Sequence, residues 1–412
     1  MLLKKKKYLL LLSMLLVSNF AFAQTIVEEE IDVYETDTVS TSPKTRKMRK
    51  NQNEKWYNEY AQFKENLAKY TGFSYSIDTS ILGQRGAPNG SGTAWQFQIY
   101  PSISWEIYNG QYGTGTITAS YTPTRYWGST DAQDITNNID VVSGINDYTT
   151  KSNSFDELSY THQFAGSLSW LGLTVGQFPI YNFDGSEYLS NQQVNFINYA
   201  LSQNATSSYP TASLGAYLTF TINPEWQIDV GMQDAHNVDG TSISASDFGE
   251  GKYTSFASLS YTPTISGLGE GQYSILVYNQ PNVSEQPGTS NGFSINWEQA
   301  LGDTYAIFGR ISAVENSPEE IEQTYALGGV VNNPLGRNEL DQIGFATAVN
   351  KINKDVVGDD ARAYETVLET YWAWGVGNWL TITPDIQLYI NPALDRSQDT
   401  ATVTSVRTTF MF

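Results

Sequence analysis

The sequence predicts an all-β fold: a transmembrane outer-membrane β-barrel of about sixteen antiparallel strands, preceded by one short helix. Three observations carry that prediction. From residue 73 onward, apolar and polar residues alternate with a period of two in segments of roughly ten residues, the pattern of strands with one face to lipid and one to water. Connections between segments alternate between short (109–113, 165–167, 223–225, 302–303, 375–378) and longer polar ones, as in barrels with turns at one end and loops at the other. Finally, the chain ends inside a strand-like run. Thr404, Val406, Thr408, Phe410 and Phe412 share one face, and Val403, Ser405, Arg407, Thr409 and Met411 share the other.

Taken in order, residues 1–23 read as a signal peptide. Lys4–Lys7 are its basic region, Tyr8–Val17 its apolar core and Ala21-Phe22-Ala23 its cleavage site, so a mature chain begins at Gln24. No later stretch reaches the roughly 20 apolar residues of a spanning helix. Residues 24–53 read as a flexible linker, acidic first (Glu28, Glu29, Glu30, Asp32) and then basic (Lys44, Arg46, Lys47, Arg49, Lys50). Residues 54–72 read as an amphipathic periplasmic helix. Trp56, Tyr60, Phe63 and Leu67 form its stripe and Gly72 its stop. That stripe either packs on the barrel mouth or plugs it.

Residues 73–412 form the barrel. Its strands are expected near 73–82, 93–108, 114–123, 156–164, 168–178, 211–222, 226–235, 253–263, 271–279, 291–301, 304–314, 324–331, 341–351, 362–374, 379–390 and 402–412. A barrel of that size encloses an aqueous channel. Two connections, 124–155 and 179–210, are long enough to be functional. Either could fold inward and narrow the pore, and 190–203 within the second is polar and helix-capable.

Composition removes several functions. Without the four signal-peptide lysines the formal charge goes from −20 to −24, which argues against nucleic acid or anionic surfaces as partners. There is no cysteine for disulfides or thiolate metal sites. The two histidines, His162 and His236, have no metal-like spacing to each other, and no cofactor is expected. An Asp234–His236 hydrolase, or an adhesin acting through 124–155, is the reading from another class.

The lumen is chemically richer. By parity Phe308 and Arg310 face in while Ile307 and Ile311 face out, and Glu365 and Glu369 face in while Tyr364, Leu368 and Trp372 face out. Asp385, Gln387, Tyr389 and Arg407 also face in. Both signs of charge, amides and rings suit a polar neutral solute such as a sugar, with hydroxyls for charge-assisted hydrogen bonds and ring faces for stacking. The same charges could instead brace the wall, and the acidic balance leaves a general, cation-leaning diffusion pore as the competing reading. Trp372, Trp374 and Trp379 suit an interfacial girdle.

Several blocks carry a family resemblance: "ELSYTHQF" with "LTVGQFPIYNFDGSEYLSNQQVNFIN", then "YPTASLGAYLTFTINPEWQIDVGMQDAHN", "YALGGVVNNPLGRNELDQIGFA", "ETVLETYWAWGVGNWLTITPDIQLYINP" and the final "VRTTFMF". Together they resemble the carbohydrate-selective porins of the OprB type. The resemblance implies passive diffusion of small sugars through a sixteen-stranded barrel narrowed by inward loops, with Asp184, Arg337, Asp341, Glu365, Glu369, Asp385, Gln387 and Arg407 at matched positions. It also implies outer-membrane lipid as surroundings and a terminal strand read by the barrel-assembly machinery. Whether the barrel is a monomer or a homo-oligomer stays open. Trp56-Tyr57-Asn58 departs from the family's usual Trp-Gly-Gly block.

Overall fold

The alternating segments become sixteen antiparallel strands that close on themselves in the computed structural model, which describes residues 55–89, 92–236, 240–243, 247–284 and 286–412. The expected signal peptide (1–23) and linker (24–53) lie outside the described residues. In order the strands are β1 Phe73–Ala87, β2 Ala94–Gly110, β3 Gly113–Trp127, β4 Ser152–Phe164, β5 Leu171–Phe178, β6 Ser213–Asn223, β7 Trp226–Asp234 and β8 Tyr253–Tyr261. Then come β9 Gly269–Gln280, β10 Ser290–Leu301, β11 Tyr305–Glu315, β12 Ile321–Asn332, β13 Gln342–Ile352, β14 Tyr364–Val376, β15 Leu380–Ile390 and β16 Thr400–Met411. After β8 the ladder skips Thr262-Pro263 and resumes for Thr264–Ile265, because proline has no N–H to give it; both pieces pair with β9.

Each strand pairs with its sequence neighbour, and β1 pairs with β16 from Asp78↔Met411 to Ala87↔Thr402. Closure removes the free edge and satisfies the backbone within the wall, the condition for strands in hydrocarbon. Side chains obey the expected parity. Ile307, Ile311, Leu327, Phe345, Ile382, Ile386 and Val406 are exposed on the outer face, while Phe308, Arg310, Gln387 and Arg407 are buried on the inner one. With sixteen strands, the short turns and both ends of the barrel segment share the side expected to be periplasmic.

The core lies inside the lumen. The long connections, 128–151 and 179–212, fold into the barrel, and Ile135, Ile139, Leu189, Phe196 and Leu201 pack on the inward Ala306, Phe308, Val330 and Ala346. The first is shorter than expected because the ladders of β3 and β4 continue to Trp127 and back to Ser152. It opens with helix Ala132–Asn138, capped by Asp131 and Asp134 in a reciprocal box. The helix-capable run 190–203 is helical only over Tyr199–Ser202, because the backbone of its other residues is bonded to the wall.

Helix α1 spans Lys55–Thr71, but its packed stripe differs from the expected one. Tyr57 and Ala61 are buried, whereas Trp56 and Phe63 are 49% and 51% exposed. The barrel wall meets chiefly the face next to the aromatic stripe, leaving Trp56 and Phe63 half exposed.

Candidate functional site

Two acidic side chains on β14 grip the two loops. Glu365 accepts from the backbone N–H groups of Val142 (3.0 Å) and Ser143 (2.8 Å), and from Ala393 (3.0 Å). Two pleat periods along the same face, Glu369 accepts from Ile197 (2.5 Å) and Asn198 (2.9 Å). A buried carboxylate needs several donors to offset lost water, and backbone N–H groups of an irregular loop need acceptors. The pairing meets both needs.

The arginines do the converse. Arg407 Nη1 donates to the carbonyls of Gln192 (2.5 Å) and Asn195 (2.7 Å), and Thr409 beside it to Gln193 O (2.6 Å). Arg310 donates to Asn296 Oδ1 (2.8 Å), to Leu189 O (2.7 Å) and to Gln203 O. Asp184, within the second loop, accepts from Asn204 (2.6 Å), Tyr209 (2.7 Å) and Asn296 of β10 (3.1 Å). Asn198 is a hub, donating to Gly144 O (3.1 Å), Gln387 Oε1 (3.2 Å) and Tyr389 Oη (2.6 Å). Tyr389 Oη in turn donates to Ser143 O (3.1 Å), and Gln387 Nε2 to Ile145 O (3.0 Å).

The loops also hold each other. Ser143 and Asn198 share a hydrogen bond (3.0 Å), and Ser202 donates to Asp147. Burial pushes the Asp147 carboxyl up to about 7. Aromatic packing completes the seat. Tyr188 stacks on Phe308 at 5.4 Å, and Phe196 meets Tyr371 edge-on at 4.9 Å. Gly328 and Gly344 make room for these rings. A Cβ at 328 would lie 2.5 Å from Phe308, and one at 344 would lie 2.3 Å from Tyr371 and 3.0 Å from Phe196.

Phe308, Arg310, Glu365, Glu369, Gln387, Tyr389 and Arg407 therefore sit where parity puts them, together with Asp184, but turned toward loop backbone and rings instead of open water. Asp385 is buried one strand from Arg407, with Asp385↔Ser405 and Thr383↔Arg407 in register. Arg337 and Asp341 are not part of this cluster. They bridge at 2.5 Å on the turn between β12 and β13, where Asp341 accepts from Gly375 N (2.7 Å) and the guanidinium lies 3.8 Å from the Trp374 ring centroid. His162 faces outward among Tyr108, Tyr160 and Phe164, and His236 N donates to Asp234 (2.9 Å).

Sequence reasoning left open which loop enters the lumen; both do. It missed Gln192, Gln193 and Asn198, although the amide-rich run Asn191–Asn198 was the available signal, since such side chains serve irregular backbone inside a barrel. On the wall it missed Gln84, Gln96 and Gln98. Gln84 donates to Ile145 O (3.1 Å), while Gln96 and Gln98 accept from Gln192 (3.1 and 2.9 Å). An acidic pair also meets between loop and wall: exposed Glu187 on the second loop donates its N–H to Glu298 of β10 (2.9 Å).

Comparison with known proteins agrees with this geometry. The family model described as "Carbohydrate-selective porin, OprB family" matches residues 133–282 and 249–412. Porin AaxA of Chlamydia felis is 38% identical over 354 residues, 84% of this chain and 79% of that protein. Porin AaxA of Chlamydia pneumoniae is 37% identical over 352 residues, 83% of this chain and 80% of its own length. The high-pH structure of Pseudomonas putida OprB superposes with a TM-score of 0.69 at 14% identity, over 86% of this chain and 97% of that one, a likeness of fold. A barrel closed without edges, loops clamped in its lumen and these two matched segments agree: the chain belongs to the OprB family of porins, outer-membrane channels rather than enzymes.

Proposed function

We infer that the chain is a passive channel preferring small sugars, narrowed by both lumenal loops. The observation that supports this most is the clamp itself: Glu365, Glu369, Arg310 and Arg407 fix loop backbone to the wall. Charges engaged in this way set the width of the passage and leave hydroxyls, amides and rings for a neutral polyol. In this reading Phe308, Asp184, Asp385, Gln387 and Tyr389 shape the constriction, and Arg337 with Asp341 steadies the rim beneath it. Binding must stay weak for solute to leave. In planar bilayers, mono- or oligosaccharides should reduce ion current with half-block around millimolar or weaker. Ohmic current with no block by any sugar would remove the sugar preference.

A second reading, cation-leaning general diffusion, is favoured by one observation. Arg310 and Arg407 are fully buried, while Glu187 is exposed beside Glu298 on the lumen side. Under a salt gradient the reversal potential should then report cation preference, and Glu187→Gln with Glu298→Gln should move it toward zero. A value near zero in the unmodified protein would exclude this reading.

A further inference from the structure

Helix α1 lies along the outside of the barrel rim. Its first turn meets the turn before β15, with Trp56 and Trp379 rings 5.5 Å apart. In its second turn Tyr60 lies 6.3 Å from Phe412 and donates to Tyr75 Oη at 3.1 Å. At its end Thr71 O accepts from Trp105 Nε1 at 3.1 Å. Tyr75 and Trp105 share the outward parity of Ile77 and Ile107, and Phe412 sits opposite Ile77. The helix thus crosses the ends of β15, β16, β1 and β2 on the lipid-facing side. Seventeen residues at about 1.5 Å each, roughly 25 Å, suffice for four strand ends about 4.8 Å apart.

At about 100° per residue the helix divides into three sectors. Tyr57, Ala61, Lys64 and Ala68 form the one against the wall, with Lys64 Nζ 4.9 Å from the Tyr75 ring centroid. Asn58, Glu59, Gln62, Glu65, Asn66 and Lys69 form a polar one. Between them, within about 40° of a common line, run Trp56, Tyr60, Phe63, Leu67 and Tyr70. Of these Trp56, Phe63 and Tyr70 are 49%, 51% and 74% exposed.

The aromatic sector is continuous with the barrel's own lipid-facing belt through Trp379, Phe412 and Tyr75. We propose that α1 is an interfacial helix whose Trp56–Phe63–Tyr70 face is embedded in the phospholipid leaflet on the short-turn side. Its partner is membrane lipid, and the lumen stays unplugged by it. Amphipathic rings favour the headgroup boundary, and a helix with apolar and polar sectors side by side rests in the interface plane.

Because the chain has no cysteine, single labels are clean. Phe63→Cys and Asn66→Cys would each carry a nitroxide in the full mature protein, reconstituted in phosphatidylcholine–phosphatidylglycerol vesicles, with folding checked by heat-modifiable mobility. Collisions with oxygen, enriched in lipid, should dominate over those with a water-soluble nickel chelate at 63, and the reverse should hold at 66. The oxygen-to-nickel ratio should differ several-fold. Nickel access equal at both positions places the helix in water and overturns the proposal. Shielding of 63 from both reagents also overturns it, since protein, from residues before Lys55 or a second copy, would then cover the face.

Discussion

At the scale of single residues, buried carboxylates act here as acceptors for loop backbone. Glu369→Ala leaves the N–H groups of Ile197 and Asn198 unmatched inside the barrel, at about 1–3 kcal/mol for each buried donor without a partner. The loop should open locally instead, raising single-channel conductance and exposing 179–212 to protease, while Glu369→Gln should do so less. Unchanged conductance and protease resistance in Glu369→Ala would show that packing alone seats the loop. Asp147 adds a pH dependence of definite sign. Its folded carboxyl titrates near 7, above the ordinary value of about 4, so the folded state binds the extra proton between those limits. Burial outweighs Ser202, whose donated hydrogen bond favours the carboxylate, so the buried seat of Asp147 is most stable at low pH and weakens as pH rises through about 7. Conductance noise from loop motion should grow from pH 5 to 8.5, and Asp147→Asn should flatten that trend.

Among elements, the fit between strands and loops depends on missing side chains as much as on charges. Gly344 on β13 lies under both Tyr371 and Phe196, so Gly344→Val must displace one of those rings. Overpacking of this kind costs about 1–3 kcal/mol. The expected outcome is a lower thermal midpoint for loss of loop protection, measured by hydrogen exchange at 195–198, with the strand ladders still protected. Equal exchange in variant and parent would mean that the ring cluster tolerates the added methyls. Helix α1 teaches a related lesson about stripes. The aromatic periodicity at 56, 60, 63 and 67 predicts a helix, and Lys55–Thr71 is one, but the residues buried against the wall are Tyr57 and Ala61, while Trp56 and Phe63 of the stripe are exposed.

For the whole molecule, closure and constriction are separable. The β1–β16 ladder and its fifteen sequence-neighbour counterparts satisfy the wall without any loop residue. Replacing 132–145 by a short Gly/Ser linker should therefore keep heat-modifiable migration and raise conductance. Failure to fold would mean that the lumenal core of Ile135, Ile139 and Ile145 is needed for the barrel to form.

The wall was legible in the sequence because its rule is local: a strand in lipid shows its period, and each turn announces itself within a few residues. Fold class, strand number and the inward parity of Arg310, Glu365, Glu369, Asp385 and Arg407 followed from that rule. What those charges touch did not, since Glu365 and Ser143 are 222 residues apart, as are Arg407 and Asn195 by 212. Parity sends a side chain into the lumen but does not say whether water or a loop waits there. Nor could spacing alone separate Arg337 and Asp341, on a rim turn, from the lumen set. The sequence by itself determined a closed barrel, its strand parity and its apolar outer face, through alternation and turn chemistry. Only the tertiary structure decided that both long loops enter, because inside a barrel each buried charge and each loop N–H must find a partner distant in the chain.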